Sequence, residues 1–381
     1  MKKCEKFGIC GGCTYQDITY EEELKIKETE VLELLKPYSF EYDGISSFEF
    51  SEYRNKMEYS FGDEGKDSLL TLGLRKKRSF YEVVNDETCN IVDKDFLDIL
   101  FYTQNFFREE KIDFYHKKRH TGILRHLVIR KGHFTNEILV NLVTTTTILK
   151  DEFAEGLIKI NKNIVSVIHT INNSLSDVVK AEEVKILYGQ NYFTEKLLGL
   201  NFKISPFAFF QTNSYGAEVL YKEVIKYAEK VNENADKKII FDLYCGTGTI
   251  GMLLAKEIKN SSIIGIDIIE ESITSAKENA ILNEIKNCKF IAGDVKDVIK
   301  TLDETPELVI LDPPREGLHK KVLSFLTELL PKNIIYISCK KESLKRDLEV
   351  LENFYNIDKI KIVDMFPRTK HVEVIASISK K

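Results

Sequence analysis

The sequence has 381 residues, of which 43% are hydrophobic and 30% are charged, and its formal net charge is −5. This is enough chain for two or three globular domains with buried cores. A slightly negative charge disfavours a polyanionic partner on average, but local basic clusters decide such binding. Two clusters of this kind occur, at 75–78 and at 117–119.

The start of the chain and its cysteines indicate where the protein works. MKKCEKFGICGGC has no apolar segment of the kind found in secretory signals, and no stretch approaches the roughly 18 apolar residues that cross a bilayer. We therefore expect a cytoplasmic monomer without a membrane partner. The seven cysteines do not resemble a secreted disulfide framework. In a reducing compartment, clustered cysteines more often hold a metal or react.

The N-terminal half combines helical and β patterns. Residues 19–36 carry apolar side chains at helical spacing and predict one amphipathic helix. From about 40 to 205 we expect mainly short strands, among them a hairpin in LVIRKGHF and EILVNLVTTTTIL, and a strand in VSVIHTINN. DKDFLDILFYTQNFFREEK predicts a helix between them. These patterns indicate a mainly-β domain over residues 1–204.

After residue 205 strands and helices alternate. Five segments predict strands: KIIFDLYCG, SIIGIDI, CKFIAGD, LVILDPP and NIIYISC. The helical pattern TIGMLLAKEIK follows the first of these strands, and ESITSAKENAILN follows the second. This alternation is typical of βαβ units in a mostly parallel sheet. We expect a doubly wound α/β domain over residues 205–381.

A glycine-rich turn joins the first of these strands to its helix. Gly246, Gly248 and Gly251 stand at G-x-G-x-x-G spacing, which permits a tight turn and close approach to a cofactor. A nicotinamide dinucleotide, S-adenosylmethionine or no ligand at all would fit this spacing. Asp242 favours S-adenosylmethionine, because a carboxylate suits a cationic ligand and repels a pyrophosphate. Asp267 could bind ribose hydroxyls of either cofactor.

Two further strands end in residues that could react. Asp312 precedes Pro313 and Pro314, which cannot continue a ladder, so its carboxylate is expected at the sheet edge. Cys339 ends another core strand on the same edge. Both have plain alternatives, since a Pro-Pro turn terminates strands generally and a lone cysteine is commonly a buried structural residue.

Five motifs follow one another in the second half: FQTN, DLYCGTGTIG, LDPPREGL, ISCKKESLKRDL and DMFPRTKHVEV. This set resembles the bacterial RNA uracil-5-methyltransferase family, which includes tRNA and 23S rRNA enzymes. The resemblance covers residues 205–381. It implies a Rossmann-like class I S-adenosylmethionine-dependent methyltransferase domain, preceded by a mainly-β (α+β) domain that carries an iron–sulfur cluster.

The resemblance also implies roles for individual residues. Cys339 would be the nucleophile and Glu373 the general base. Should Glu373 not be the base, Asp364 is our next candidate, which the resemblance does not imply. The residues that would line the cofactor site, beside Gly246 and Gly248, are Gln211, Tyr244, Asp267 and Asp312. Two positions depart from the family pattern: Asp267 stands where glutamate is frequent, and Lys340-Lys341 where Asn-Pro is frequent.

The chemistry explains why such groups are needed. Carbon 5 of uracil is a poor nucleophile, and thiolate addition at carbon 6 activates it. A carboxylate with a raised pKa can then remove the carbon-5 proton, and the base must be flipped out of its stack to reach the pocket. A methyltransferase of adenine or cytosine amino groups is a rival, but it usually has an aromatic residue where Arg315 stands. A non-catalytic RNA-binding or redox protein is a second rival.

The remaining cysteines form a motif of their own. Cys4, Cys10 and Cys13 read C-x5-C-G-G-C, and Cys89 is a possible fourth member. Four thiolates could hold zinc or an iron–sulfur cluster, or remain thiols. The resemblance implies a [4Fe-4S] cluster and, with it, 23S rRNA as the RNA partner, with tRNA as the alternative. The mixed basic and aromatic run SEYRNKMEYSF is a candidate for gripping RNA.

Overall fold

The computed structural model describes residues 4–48, 51–65, 68–79, 81–85, 88–148, 151–175, 181–231 and 238–381. The strands in this part of the chain are β1 (Glu41–Ser46), β2 (Lys56–Gly62), β3 (Thr71–Arg75), β4 (Val83–Val84), β5 (Leu124–Lys131), β6 (Ile138–Thr144), β7 (Ile164–Ile171), β8 (Glu183–Gly189), β9 (Phe193–Leu197), β10 (Leu200–Ile204), β11 (Lys238–Leu243), β12 (Ser261–Asp267), β13 (Cys288–Ala292), β14 (Leu308–Leu311), β15 (Asn333–Ser338), β16 (Tyr355–Val363) and β17 (Glu373–Lys380). The α-helices are α1 (Tyr20–Leu35), α2 (Lys94–Glu109), α3 (Asp151–Ile160), α4 (Ser214–Val231), α5 (Thr249–Glu257), α6 (Glu270–Leu282), α7 (Val295–Val298), α8 (Lys320–Leu329) and α9 (Lys341–Leu351). None of the helices described is long and apolar enough to cross a membrane.

The second half of the chain builds a large sheet with the strand order β1-β16-β17-β15-β14-β11-β12-β13. Strands β11 to β15 pair parallel, whereas β17 runs antiparallel to both β15 and β16. Successive side chains of β11 point to opposite faces: Ile240 packs with α4, α5 and α6, and Phe241 packs with α8 and α9. Because helices cover both faces, this is the doubly wound α/β fold that the alternating pattern predicts.

The first half builds a seven-stranded sheet with the order β4-β3-β2-β5-β6-β7-β8. Its neighbours are antiparallel except β6 and β7, which pair parallel across the intervening helix α3. Phe96 and Phe107 of α2 and Phe153 of α3 pack against Leu127 and Ile129 of β5 in one apolar core. This half is therefore a sheet with its helices on one face.

The start of the chain packs onto the sheet of the second half. A capping box between Thr19 and Glu22 begins α1, and Val31 and Leu35 enter the core beneath α9. β1 extends the large sheet by pairing parallel with β16. The sequence pattern did not indicate this crossing, and the domain boundary at residues 204 and 205 stays a prediction.

Side chains of the first sheet hold the segment that enters the FQTN motif. Nη1 of Arg130 donates to the carbonyl oxygens of Ser205 (2.9 Å) and Ala208 (2.8 Å). Nδ2 of Asn55 donates to the carbonyl oxygen of Gln211 at 3.1 Å. The two halves therefore meet through buried hydrogen bonds just before a predicted cofactor residue.

Most of the elements predicted for the first half are confirmed. The helices over 19–36 and in DKDFLDILFYTQNFFREEK are α1 and α2, and the predicted hairpin is β5 and β6. Leu149, at the end of the second predicted strand of that hairpin, lies outside the described residues. In SEYRNKMEYSF, Tyr53 and Tyr59 are fully buried, so these two rings belong to the core and not to an RNA-binding surface.

Candidate active site

Five neighbouring strands of the large sheet each bring an acid or a thiol to the same edge. In the sheet order β17, β15, β14, β11 and β12, these residues are Glu373, Cys339, Asp312, Asp242 and Asp267. The four parallel strands contribute from their carboxyl ends, and antiparallel β17 contributes its first residue. The edge outside the carboxyl ends of parallel strands is where ligands bind in open α/β sheets.

Cys339 and Glu373 are neighbours across two paired strands. β15 and β17 pair antiparallel, and continuing their register by one step places Cys339 opposite Glu373. Glu373 is 3% exposed, and its Oε2 atom has no hydrogen-bond partner among the described residues. Burial raises the pKa of this carboxyl well above its usual value; the charge of Asp312 adds to the increase and that of Arg315 opposes it. Once ionised, a carboxyl of this kind is a stronger base than an exposed one.

The Cys339 thiol is half-buried beside these acids. Burial raises its pKa to about 11, and the charges of Glu373 and Asp312 contribute in the same direction. The thiol form therefore dominates at neutral pH, whereas the thiolate is the nucleophilic form. Arg315 acts in the opposite sense and is the positive group that could favour a thiolate here.

The glycine loop is held by one carboxylate and by unusual backbone angles. Asp267 accepts backbone hydrogen bonds from Gly246 and Ile269, both at 2.9 Å. Gly248 has φ +75°, and a Cβ at this position would lie 2.6 Å from an aromatic carbon. Tyr244, just before the loop, also has a positive φ of 66°, which is costly for a residue with a side chain. Such strain is typical of ligand-binding turns.

Asp242 is a buried acid on β11, and Asp312 is a half-buried acid directly after the adjacent strand β14. Asp242 is 0% exposed; its Oδ2 accepts from the backbone N–H of Gly251 at 2.9 Å, and its Oδ1 has no partner in the described part of the chain. Burial and then the charge of Asp312 raise the pKa of Asp242 to about 8, and burial raises that of Asp312 to about 7. A cation bound at this edge would stabilise both carboxylates.

Tyr221 of α4 also belongs to this group, although the sequence did not indicate it. Its side chain is buried and hydrogen-bonded to Gln211 of the FQTN motif. Burial raises its pKa, and the charges of Asp312 and Glu373 contribute to the increase. The helical pattern of α4 could not separate this tyrosine from ordinary core residues, because Tyr221 shares the buried face of the helix with Leu220.

Asp364, the alternative candidate for the base, is bound within a buried ion network. It is 0% exposed and accepts from the Tyr20 hydroxyl (2.9 Å) and from the Lys27 ammonium (2.8 Å). Lys27 also contacts Glu23 at 2.7 Å. Asp364 therefore anchors α1. The departure at Lys341 is also structural, since this residue begins α9 and its ammonium is paired with Glu30 of α1.

The four cysteines of the first half line a single small cavity. They are Cys4, Cys10, Cys13 and Cys89. Among the described residues, however, no group of three or more His, Cys, Asp or Glu side chains stands in an arrangement that could hold a metal ion. The structure therefore brings the cysteines to one place without the geometry of a metal centre.

Comparisons with known proteins identify the family of this chain. The family model described as tRNA (uracil-5-)-methyltransferase matches residues 19–381. A Clostridium tetani protein described as an uncharacterized RNA methyltransferase is 48% identical, over 100% of this chain and 84% of its own length. An Oceanobacillus iheyensis protein with the same description is 33% identical, over 98% of this chain and 82% of its own length.

A solved structure extends the likeness to three dimensions. It is the Pyrococcus abyssi tRNA (uracil-54, C5)-methyltransferase in complex with S-adenosyl-L-homocysteine. The match has a TM-score of 0.80 and 31% identity, and covers 97% of this chain and 86% of the other. The chain thus has the α/β fold of S-adenosylmethionine-dependent methyltransferases and belongs to the RNA uracil-5-methyltransferase family.

Proposed function

We propose that this RNA methyltransferase methylates carbon 5 of a uridine, with Cys339 as the nucleophile and Glu373 as the general base. The observation that carries the proposal is the register of β15 and β17, which sets the thiol opposite a buried carboxyl. Asp312 and the glycine loop lie on the next strands of the same edge. The proposed nucleophile, base and cofactor loop therefore lie along one edge of the sheet.

Each group has a separate task in this reaction. The Cys339 thiol gives up its proton to solvent, and the thiolate adds to carbon 6 of the uracil, which makes carbon 5 nucleophilic. S-adenosylmethionine supplies the electrophilic methyl group. Glu373 then takes the proton from carbon 5, and the electrons of that C–H bond re-form the double bond while the sulfur leaves carbon 6. Burial of Glu373 supports this task, because a carboxyl with a raised pKa is a stronger base.

Trapping of the covalent intermediate tests the proposal. RNA that carries 5-fluorouracil has no proton at carbon 5, so elimination cannot follow methyl transfer. We expect a denaturation-resistant protein–RNA adduct that needs S-adenosylmethionine and maps to Cys339 by mass spectrometry. An amino-group methyltransferase or a non-catalytic RNA-binding protein would give no adduct, and methylation without any adduct would overturn the role of Cys339.

For the RNA substrate we propose 23S rRNA, with tRNA as the competing candidate. The cysteine-lined cavity supports rRNA through the resemblance stated above, and the likeness to the P. abyssi tRNA enzyme supports tRNA. We further propose that residues 1–204 hold the RNA and residues 205–381 carry the chemistry. Purified protein should be given tRNA and 23S rRNA from a deletion strain, and 5-methyluridine should be located by mass spectrometry. Methylation of tRNA alone would contradict the rRNA assignment.

We also propose that Cys4, Cys10, Cys13 and Cys89 hold a [4Fe-4S] cluster. Their thiols are the donors that such clusters require, and they line one cavity. The cluster would be structural, because methyl transfer involves no change of redox state. Anaerobically purified protein should contain iron and sulfide, and replacement of any one of these cysteines by serine should remove the visible absorption. Stoichiometric zinc without iron would contradict the cluster.

A further inference from the structure

A second cavity opens on the seven-stranded sheet, outside the candidate active site. Its volume is about 520 Å³ when the open solvent at its mouth is included. The residues that line it lie between 60 and 126, on β2, the β3–β4 region, the segment before β5, and β5 itself. None of the residues discussed for methyl transfer is among them.

The two basic clusters of the sequence meet at this cavity. Arg75 from the first cluster and Lys117 from the second both line it, although 41 positions of sequence separate them. Arg125 of β5 lines it as well, although its side chain is buried, and Asp63 is the single acidic residue among the described residues of the lining. The cavity therefore has an excess of positive side chains in a protein whose net charge is negative. Such a local patch favours a phosphate-bearing ligand.

Aromatic rings form the other part of the lining. Tyr81 is 48% exposed, and the ammonium of Lys118 lies 4.6 Å from the centre of its ring. The guanidinium of Arg125 lies 4.6 Å from the ring centre of Tyr115. Tyr115 and Arg125 are both buried, so Tyr81 is the ring of these two that a ligand can reach. An exposed ring of this kind stacks on unpaired bases without regard to sequence. Phosphate and base recognition are thus combined in one cavity.

The basic side of the cavity is fixed by backbone hydrogen bonds to the cysteine loop. The Gly11 N–H donates to the carbonyl oxygen of Arg75 at 3.1 Å, and the Lys77 N–H donates to that of Ile9 at 2.7 Å. On the opposite side, Nη1 of Arg125 donates to the carbonyl oxygen of Asn172 at 2.8 Å. The cavity is therefore preformed, which lowers the entropic cost of binding.

We infer that this cavity binds an unpaired nucleotide of the RNA substrate, outside the catalytic pocket. The base stacks on the Tyr81 side of the cavity, and its phosphate faces Arg75 and Lys117. A base within a duplex is already stacked and paired, so the site selects single-stranded RNA next to the target. This inference rests on the assignment of RNA as the substrate.

Binding of a fluorescein-labelled single-stranded RNA 12-mer tests the inference, with a blunt duplex of the same sequence as the comparison. We expect Tyr81→Ala to weaken single-strand binding by about tenfold, the scale of one lost base stack. Tyr81→Phe keeps the ring and should keep the affinity. Lys117→Ala should weaken binding and lower the slope of log affinity against log salt by about 0.7, the value for one single-strand phosphate contact.

Matched variants on the same sheet serve as controls. Tyr188→Ala removes an equally exposed ring, of 42% exposure, from edge strand β8, and Lys159→Ala removes an exposed charge from α3. Both should bind the 12-mer like the unaltered protein. The inference is overturned if Tyr81→Ala and Lys117→Ala bind the 12-mer as tightly as these controls do. It is also overturned if the substitutions weaken binding of the duplex as much as binding of the single strand. Because this assay measures binding alone, failure of the 5-fluorouracil adduct would overturn the proposed chemistry and leave this result standing.

Discussion

Cys339 and Glu373 act at different steps, and single substitutions should separate them. Cys339→Ala should bind RNA and cofactor but form neither product nor adduct, because no group adds to carbon 6. Glu373→Gln should still add and transfer the methyl group, then stall before elimination. Methylated RNA should therefore accumulate covalently on the protein with ordinary uracil, visible as a slow band on a denaturing gel.

The burial of Glu373 requires a control for folding. Glutamine keeps the volume of the side chain and removes only its charge, so thermal unfolding of Glu373→Gln should remain cooperative. Turnover by Glu373→Gln near the unaltered rate would mean that another group takes the proton. Asp364 is poorly placed for that task, because Tyr20 and Lys27 already occupy its oxygens. Methyltransferase activity in Cys339→Ala would exclude the proposed carbon-5 mechanism.

Asp242 should make cofactor binding depend on pH. Its pKa of about 8 means that the free protein holds a proton there at pH 6 to 7. A cationic ligand favours the carboxylate, so binding releases this proton and S-adenosylmethionine affinity should rise with pH. We expect about a tenfold rise from pH 6 to 7 and a plateau above about pH 8, measured by calorimetry. An affinity that falls over this range would contradict the expectation.

Asp242→Asn is the matched variant for this effect, since an amide oxygen can still accept from Gly251. It should weaken cofactor binding and remove the part of the pH dependence that Asp242 contributes. In the ligand-free protein, by contrast, Asp242→Asn should increase the stability of the fold at high pH. The folded pKa of Asp242 lies above that of an unfolded aspartate, so the stability it contributes is present below about pH 4 and is lost as pH rises towards 8. The ligand-free Asn variant should therefore be the more stable protein at pH 8.

At the scale of elements, the packing of helix α1 against the rest of the protein depends on one buried lysine. Lys27 is 1% exposed and lies between Glu23 and Asp364, which are both fully buried. Lys27→Met would leave the two buried carboxylates with only the Arg368 guanidinium as a cation, 3.4 Å from Glu23. We expect a loss of about 3–5 kcal/mol in the free energy of unfolding, the range for removing one partner of a buried ion pair. Chemical denaturation measures this change.

The same helix offers a control for Lys27. Lys25→Met changes an exposed lysine one position before Ile26 and should alter stability by no more than about 0.5 kcal/mol. The double variant Lys27→Met with Asp364→Asn removes one of the uncompensated charges, so it should recover part of the loss. Equal stabilities of the Lys25 and Lys27 variants would show that the ion network does not hold α1 in place.

Local sequence patterns predicted the individual helices and strands better than they predicted which strands pair. The helix α1 follows from apolar spacing and a capping box, and the hairpin β5–β6 follows from two adjacent β-prone runs. The pairing of β1 with β16 could not be predicted, because it joins residues about 300 positions apart by backbone hydrogen bonds that leave no pattern in the side chains. The parallel pairing of β6 with β7 is similar, since only the crossover through α3 determines it.

At the scale of the whole molecule, the sequence predicts those residues of the candidate site that directly follow a strand within a motif. Asp312 and Cys339 do so, and parallel strands bring such residues to one edge by topology alone. Tyr221 was not predictable, because it reaches the site from a helix whose buried face is otherwise apolar. The cavity of Arg75 and Lys117 was not predictable either, since two basic clusters meet only after the sheet has formed.

The two halves of the molecule should unfold as one unit because Arg130 joins them. This side chain is 2% exposed, and its Nη1 atom donates to the carbonyl oxygens of Ser205, Pro206 and Ala208. Arg130→Met leaves those carbonyls without their donor and should cost about 1.5–3 kcal/mol. Calorimetry should then show two unfolding transitions, of which S-adenosylmethionine shifts only the transition of the large sheet.

Arg108→Met is the control, because it removes a hydrogen bond to Leu70 within the first half. It should keep a single unfolding transition that S-adenosylmethionine still shifts. One transition in Arg130→Met, shifted by the cofactor as in the unaltered protein, would mean that Asn55 and the other junction contacts couple the two halves without Arg130.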